Sequence, residues 1–185
     1  RHAQARKRIE RNLRPTRTPG GVEAQCILDV TQRGHVLKER IVLKNNIEEI
    51  ILADILKELT ASDERIHLHL EETDPQMTVK ANPYLLKIAL KNIIDNACKY
   101  SDKEVNVTLY REQQQVILDI EDRGIGIPQE EIEHIFQSFY RGSNTRDYAG
   151  QGIGLSLTLK IISAYHAKLD ISSEIEKGTK VRVIF

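Results

Sequence analysis

Asn92, Asn96 and Lys99 stand at helical spacing in the segment covering residues 92–101. Residues three or four apart share one face of a helix, so two amides and one ammonium would form a single polar row. Amide oxygens suit Mg²⁺, which also keeps waters and substrate phosphates as ligands, and a lysine ammonium can neutralise a phosphate. The row is compatible with a magnesium–phosphate site or with a solvated helix face, and both interpretations stay open from this segment alone.

A second segment, Asp122-Arg-Gly124-Ile-Gly126, follows an apolar stretch that is typical of a strand. Ligands gather at strand ends that lead into glycine-rich loops, and the missing Cβ atoms of Gly124 and Gly126 would let a flat group approach the backbone. Ionised Asp122 only accepts hydrogen bonds, so it could bind an exocyclic amino group such as that of adenine. Taken alone, the segment could equally be an acidic turn with two turn glycines.

A third segment carries Gly150, Gly152 and Gly154 at the start of a predicted helix. Free amides at a helix N-terminus, together with the helix dipole, favour an anion such as a polyphosphate. The segment follows a polar loop over residues 142–151 and no strand, which argues against a dinucleotide-binding fold and predicts a mobile lid. Just before this loop, Phe136 and Phe139 are expected to anchor their segment, and Arg141 could reach a phosphate.

Hydrophobic periodicity supplies the elements that must position these residues. Helices are predicted from Ile47 to Leu59, after Asn82, over 129–138 and from Ile153 to Tyr165. Strands are predicted at 66–70, 105–110, 116–121, 169–173 and 180–185. Helices and strands are intermixed without strict alternation. This order predicts an α+β fold: a two-layer α/β sandwich in which a mixed sheet is covered by helices on one face.

The composition of the chain excludes some classes of function. The 27 basic side chains balance the 27 acidic ones, and this neutrality argues against a nucleic-acid-binding module. Two cysteines imply no disulfide framework and fit a reducing, cytoplasmic location. No apolar stretch approaches 18 residues, although the chain is expected to be a fragment whose parent could carry a membrane anchor. Residues 1–40 are interpreted as a linker with part of a helix at 22–30, a possible remnant of a dimerisation hairpin.

The order of the four segments indicates one protein family, whereas each segment alone is compatible with several interpretations. Asn-x-x-x-Asn-x-x-Lys-Tyr-Ser, Asp-x-Gly-x-Gly-Ile-Pro, Phe-x-x-Phe-Tyr-Arg and Gly-x-Gly-x-Gly-Leu follow one another between residues 92 and 155. This succession resembles the catalytic ATP-binding domain of sensor histidine kinases, in the superfamily that also holds type II topoisomerases, heat-shock chaperones and mismatch-repair ATPases. The resemblance covers residues 41–185. It implies a mostly antiparallel, Bergerat-type ATP-binding fold, with ATP and Mg²⁺ as cofactors.

The resemblance, applied position by position, implies which residues would bind the phosphates and the metal. Asn96 would coordinate Mg²⁺, with Asn92 close to the metal and the phosphates. Lys99 would contact a phosphate and Arg141 would approach the γ-phosphate, so Asn92, Lys99 and Arg141 are the expected catalytic residues. Backbone amides would wrap the phosphates along Gly150, Gly152, Ile153, Gly154 and Leu155.

The resemblance also assigns the base end. Tyr100 would lie against the adenine or the sugar, and Asp122 would accept a hydrogen bond from the adenine amino group. The further positions expected to bind nucleotide are Gly124, Gly126, Ile127 and Thr179.

Asn92 discriminates within the superfamily, because the hydrolysing relatives carry a water-activating Glu at that position. An amide cannot act as a base at neutral pH, and the side chain of Asp95 would point about 60° away round the helix. Kinase activity is therefore favoured over a hydrolysing ATPase clamp. The expected partners are a histidine-bearing dimerisation hairpin, in the parent chain or in trans, and a response-regulator receiver domain.

The phosphoacceptor motif of a complete kinase is missing. None of the six histidines precedes an acidic residue and then Thr-Pro or Asn-Pro, the usual setting in these kinases. A non-catalytic module that binds nucleotide, or none, therefore remains an alternative.

Overall fold

A computed structural model describes the side chains of residues 47–71 and 77–185, and the backbone of strands at 7–12, 24–30 and 36–43. The chain divides into two compact units, Arg1–Ile47 and Glu48–Phe185. No helix in the described part of the chain is long and apolar enough to cross a membrane.

The first unit contains an antiparallel sheet with strand order β1-β2-β3, formed by β1 (Lys7–Asn12), β2 (Ala24–Val30) and β3 (Val36–Leu43). The helix predicted over residues 22–30 is wrong, because Ala24–Val30 pairs as a strand on both sides. Short apolar runs fit either element, so periodicity could not separate them here. The boundary predicted after residue 40 falls inside β3. Apart from these strands, the linker predicted over residues 1–40 lies outside the described residues.

The described residues of the second unit form seven strands: β4 (Glu48–Ile51), β5 (Ile66–Leu70), β6 (Thr78–Ala81), β7 (Val105–Glu112), β8 (Gln115–Asp122), β9 (Lys168–Glu174) and β10 (Gly178–Ile184). Five of them form a mixed sheet in the order β5-β7-β8-β10-β9, in which β5 and β7 are parallel and the other pairs antiparallel. β4 and β6 pair separately. The predicted mixed, mostly antiparallel sheet is confirmed.

Three helices cover one face of this sheet: α1 (Leu52–Thr60), α2 (Pro83–Tyr100) and α3 (Gly154–Ala164). The core between helices and sheet consists of aliphatic side chains, among them Leu86, Leu90, Ile162, Val107, Leu118 and Val183, all fully buried. Asn82 starts α2 as predicted: its side chain accepts a hydrogen bond from the Leu85 amide at 3.1 Å, with Pro83 at the first helical position. The apolar faces of α2 and α3 thereby fix the polar row of α2 at the edge of the core.

Local differences from the predicted elements arise at short segments. The helix predicted from Ile47 begins only at Leu52, because Glu48–Ile51 pairs with β6. The helix predicted over 129–138 is a 3₁₀ helix at Gln129–Glu131 followed by turns. Strand β6, with four residues, was missed. At Glu48–Ile51 and Thr78–Ala81, strand pairing outweighs local patterns of only four residues.

On the sheet face opposite the helices, Asp119 joins two basic side chains. Arg182 donates to both carboxylate oxygens at 2.8 Å, and the Lys180 ammonium lies 3.0 Å from Oδ2. Burial acts to raise the pKa of Asp119, but the hydrogen bonds from Arg182 and Lys180 outweigh it and hold this pKa below its ordinary value. The ionised pair therefore stabilises the folded state.

Replacing Asp119 by Asn is expected to lower the free energy of unfolding by about 2 kcal/mol at pH 7, because an amide nitrogen would face an Arg182 donor. A lowered pKa contributes stability above the unfolded value near 3.8 and loses it as pH falls through the folded value. Urea titrations from pH 7 to pH 2.5 should show the difference persisting to about pH 4 and then shrinking. Glu121→Gln, at an exposed side chain on the same face, is the control; an equal loss there would contradict the assignment.

Candidate functional site: a cavity between the amide-bearing helix and the glycine loops

A cavity of about 270 Å³ opens beside the C-terminal half of α2. It is bounded by the loop after β8, by residues 140–155 and by the sheet face carrying Ile120, Ile171 and Val181. The structure brings most of the predicted site residues to its wall: Asn96, Lys99, Tyr100, Asp122, Gly126, Ile127, Arg141, Gly150, Gly152, Ile153, Gly154, Leu155 and Thr179. Segments up to 83 residues apart in sequence thus converge on one cavity.

Two predicted site residues, Asn92 and Gly124, do not line the cavity. The Asn92 amide nitrogen lies 3.4 Å from both the Gly154 carbonyl and the Thr158 hydroxyl, so this side chain joins α2 to α3. Gly124 packs against the end of α2 instead, since a Cβ there would lie 2.0 Å from the Tyr100 carbonyl oxygen. Both residues act on the cavity through the elements that they hold together.

Asp122 is the buried acidic group of the cavity, with 7% of its surface exposed. Its Oδ1 accepts the Gly124 N–H at 2.8 Å, and the Thr179 amide also donates to the carboxylate. Burial raises the pKa of Asp122 and outweighs these two donors, which act to lower it. A buried, ionised carboxylate with spare lone pairs can accept a hydrogen bond from an amino group in the cavity.

The loop after Asp122 is held in place by close backbone approaches. Ile125 N–H donates to the Tyr100 carbonyl at 3.0 Å, and Glu176 N–H donates to the Ile125 carbonyl at 3.0 Å. Gly126 has φ +66°, and a Cβ there would lie 2.1 Å from the Glu174 carbonyl oxygen. These contacts pin the loop between the end of α2 and the β9–β10 turn, so they fix the position of Asp122 relative to α2.

We expect Gly124→Ala to lower the free energy of unfolding by about 2 kcal/mol and to weaken nucleotide binding about tenfold, because the loop must move away from the Tyr100 carbonyl. Gly154→Ala is the matched control for stability, since the nearest atoms to its Cβ would be those of Asn92 at 3.8 and 3.9 Å. Alanine favours a helix, so this variant should be at least as stable as wild type. Urea unfolding and calorimetric titration measure both effects. Equal stability of the two variants would show that the close approach of Gly124 to the Tyr100 carbonyl does not require a glycine.

The N-terminus of α3, which lies beside Asn92 on α2, and Lys99 also line the cavity. No side chain caps α3 within the described residues, and Ile153, Gly154 and Leu155 at its start line the cavity. The Lys99 ammonium lies 3.1 Å from the Tyr100 hydroxyl and would be 2.9 Å from a Cβ on Gly150. Free helix amides and a nearby ammonium together favour a polyanion beside them.

Residues 142–151, the predicted lid, make specific contacts with the rest of the site. Arg141 donates to the carbonyls of Thr145 and Tyr148, and Asn144 donates to the Gly126 carbonyl at 2.9 Å. The Tyr148 ring packs edge-on against Tyr100, with centroids 5.0 Å apart. Arg141 lines the cavity while its guanidinium bonds to the lid backbone, so its contact with a γ-phosphate stays a prediction.

Phe139 does not anchor its segment as expected from the sequence. Its side chain is 52% exposed, and its backbone has φ +70°. The anchor is its N–H, which donates to the Gly152 carbonyl at 2.8 Å, while Ile135 is the buried residue nearby. Gly152 itself has φ +69°, and a Cβ there would lie 2.4 Å from the Tyr140 carbonyl oxygen. The contact joins the segment with Phe139 and Tyr140 to the glycine-rich segment that contains Gly152.

The donor set of the cavity fits magnesium bound jointly by protein and phosphate. Asn96, in the C-terminal half of α2, lines the cavity and carries a side-chain amide oxygen. Among the described residues, no group of three or more His, Cys, Asp or Glu side chains could hold a metal by itself. Mg²⁺ is commonly held by one or two protein oxygens together with waters and phosphates, and Asn96 suits this arrangement.

Sequence reasoning missed the apolar wall of the cavity. Its members are Ile93, Ala97, Ile120, Ile125, Ile135, Ile171 and Val181. The helical spacing could have indicated Ile93 and Ala97, because they precede Asn96 and Tyr100 by three residues on α2. Ile120 and Val181 are register partners in neighbouring strands, which only the sheet pairing reveals.

The profile of the family described as "Histidine kinase-, DNA gyrase B-, and HSP90-like ATPase" matches residues 81–185, which is more than half of the chain. The chain belongs to this family. The predicted resemblance to histidine kinase ATP-binding domains is thereby confirmed, and ATP is the nucleotide for which this histidine kinase-like ATPase domain is built. The matched residues include every side chain that lines the cavity.

Among relatives of this ATPase domain, the signal transduction histidine-protein kinase ArlS of Staphylococcus aureus strain USA300 is 38% identical over 117 residues. Those residues are 61% of this chain and 26% of ArlS, so the chain matches about a quarter of that kinase.

Solved histidine kinase structures share the fold. The mycobacterial sensor histidine kinase MprB has a TM-score of 0.62 at 23% identity, covering 75% of this chain and 96% of that chain. The catalytic domain of histidine kinase ThkA has a TM-score of 0.63 at 22% identity, covering 76% and 95%. Full-length ShkA in complex with AMPPNP has a TM-score of 0.64 at 19% identity, covering 77% and 31%. They confirm the predicted α+β sandwich of this ATPase domain.

Proposed function

We propose that the second unit, residues 48–185, is the catalytic ATP-binding domain of a sensor histidine kinase. The domain would transfer the ATP γ-phosphate to a histidine on a helical hairpin, for relay to a response-regulator aspartate. The observation that carries this proposal is the lining of the cavity, which combines the buried acceptor Asp122 with Lys99 and the uncapped N-terminus of α3.

Asp122 and Thr179 would hold the adenine, while Ile120, Ile171 and Val181 supply an apolar surface for the ring. An acceptor-only carboxylate favours a base with an amino group, and burial strengthens the interaction because water does not compete for it. Tyr100 lines the cavity with its hydroxyl 3.1 Å from the Lys99 ammonium, and its ring would contact the sugar. These residues bind and orient the nucleotide.

Lys99, Asn96 and the α3 amides would hold the phosphates. Mg²⁺ bound through Asn96 would neutralise developing charge on the phosphates. Arg141 bonds to the lid backbone and lines the cavity, so it can couple the lid position to the terminal phosphate. Catalysis would then rest on positioning and charge neutralisation, as in other phosphoryl transfers.

The lining of the cavity favours transfer over hydrolysis. Of the described residues that line it, Asp122 is the one carboxylate, and it lies at the base end. Asn92 stands where hydrolysing relatives carry a basic Glu, and its amide nitrogen faces Gly154 and Thr158. None of the lining residues is a histidine, so the phosphoacceptor would come from a separate hairpin. These features oppose rapid water attack.

A non-catalytic nucleotide-binding module is the second candidate. It is favoured by the absence of a His-acidic-Thr/Asn-Pro motif from the sequence. A hydrolysing clamp ranks third because of Asn92. In the kinase, the partners would be the hairpin and a receiver domain. The site would lie on the cytoplasmic side, and the parent chain could carry a membrane anchor.

Phosphoryl transfer in trans separates these candidates. The chain is incubated with γ-labelled ATP, Mg²⁺ and a histidine-bearing hairpin domain from a sensor kinase, with and without an Asp122→Asn variant as the matched control. We expect acid-labile, alkali-stable label on the hairpin with wild type only. Release of free phosphate at a comparable rate would indicate the hydrolysing clamp. ATP binding without either product would indicate the non-catalytic module.

A further inference from the structure

Ser173, on β9 behind the cavity wall, is bonded to three polar groups around the base end. Its hydroxyl oxygen accepts the Ile127 N–H at 2.8 Å, lies 2.8 Å from the Gly178 carbonyl oxygen and lies 2.8 Å from the Thr179 hydroxyl. It does not line the cavity, whereas Ile127 and Thr179 do. Ser173 therefore connects the loop after Asp122 to the hairpin that carries Thr179.

Hydrogen-bond chemistry fixes the direction of every bond in this cluster. A serine hydroxyl has one proton and two acceptor lone pairs. The Gly178 carbonyl can only accept, so the Ser173 proton must point to it; otherwise two oxygens would face each other at 2.8 Å without a hydrogen. The Ile127 N–H occupies one lone pair. The Thr179 hydroxyl must then donate its own proton to the second lone pair.

This assignment determines what Thr179 offers to the cavity. With its proton committed to Ser173, the Thr179 oxygen presents only acceptor lone pairs, as does the Asp122 carboxylate beside it. The Thr179 amide also donates to Asp122, so the two acceptors are held side by side. A purine that presents a donor at position 6 meets both acceptors, directly or through one water, whereas a 6-oxo purine meets them with its own acceptor.

We propose that Ser173 is a positioning residue for base selectivity: by holding the proton of Thr179, it makes Thr179 an acceptor and so disfavours 6-oxo purines. The inference rests on the proposed nucleotide site. Without the Ser173 hydroxyl, the Thr179 hydroxyl can rotate and donate to an oxo group. The consequence is a change in the ratio of affinities for two bases rather than a uniform loss of affinity.

The test compares ATP with inosine triphosphate, which carries an oxo group at position 6 and a proton on N1. Dissociation constants of both are measured on the full chain by calorimetry, for wild type and for Ser173→Ala, Ser173→Thr, Thr179→Val and the Ser173→Ala/Thr179→Val pair. We expect Ser173→Ala to reduce discrimination against inosine triphosphate about fivefold, the size of one net hydrogen bond. Ser173→Thr keeps the hydroxyl and should restore discrimination. In the Thr179→Val background, Ser173→Ala should leave the ratio unchanged.

Two results would overturn the inference. An equal loss of affinity for both nucleotides in Ser173→Ala would show that the residue only supports the local structure. A change of ratio that persists in the Thr179→Val background would show that Thr179 does not carry the effect. Failure of wild type to bind ATP in the same titrations would remove the proposed function as well, so the two failures are distinguishable.

Discussion

Replacing Asp122 by Asn is expected to weaken ATP binding about 30-fold while leaving the folded domain at least as stable as wild type. The N–H groups of Gly124 and Thr179 both need an acceptor, so the new side chain would turn its oxygen to them and its NH₂ group to the cavity. Two donors would then face each other at the adenine amino group. Losing a hydrogen bond to a buried charged group costs about 1.5–3 kcal/mol, which corresponds to about 10- to 150-fold in affinity.

The stability part of this prediction follows from the sign of the pKa shift. Burial raises the pKa of Asp122, so ionising it costs more in the folded than in the unfolded state. The Asp122 carboxyl group therefore favours the folded state while it is protonated. This stabilisation is lost as pH rises through the pKa of the group in the folded state. Wild type without nucleotide should therefore gain stability from this group as pH falls toward that pKa, and Asp122→Asn should lack this gain.

Calorimetric titration with ATP and thermal unfolding without nucleotide, each at pH 7 and pH 5, measure both parts. Asp95→Asn is the control, because Asp95 is exposed on α2, pairs with Lys91 and does not line the cavity. Unchanged ATP affinity in Asp122→Asn would remove Asp122 from the site. A large loss of stability at pH 7 would assign it a structural role instead.

The second large effect is expected for Asn96→Ala. Without the amide oxygen on the cavity wall, Mg²⁺ should no longer tighten nucleotide binding, and phosphoryl transfer to a hairpin should fall about a thousandfold, equivalent to about 4 kcal/mol of charge stabilisation. The measurements are ATP affinity with and without Mg²⁺, and the rate of hairpin labelling.

The neighbouring Asp95 provides the matched control. It is exposed on α2, pairs with Lys91 at 2.7 Å and lies outside the cavity wall, so Asp95→Asn should retain both magnesium dependence and transfer. Asn96→Ala with wild-type magnesium dependence would show that the metal ligand lies elsewhere.

Much of the site could be predicted because its chemistry is local in sequence. The polar row of α2 follows from helical spacing, and Asp122 with its glycines follows from a strand end that leads into a turn. Gly150, Gly152 and Gly154 predict the phosphate-binding start of a helix from a segment of five residues. The sandwich itself follows from the apolar alternation of β7, from the apolar run that starts β8 and from the amphipathic pattern of α2.

What escaped prediction depends on contacts between distant segments. Spacing places Asn92 on the same face as Asn96, but only the packing of α3 shows that its amide meets Gly154 and Thr158. Ser173 gains its role from the pairing of β9 with β10, which places it opposite Thr179. The start predicted for the first helix at Ile47 is wrong because Glu48–Ile51 forms a strand by pairing with β6. The sequence of these four residues alone does not indicate that strand.

The most direct test of the central claim is a crystal structure of the chain with Mg²⁺ and a slowly hydrolysed ATP analogue. We expect the adenine amino group to lie against Asp122, the phosphates against the N-terminus of α3 and Lys99, and the metal on the oxygen of Asn96. A nucleotide bound elsewhere, or this cavity left empty at saturating analogue, would contradict it.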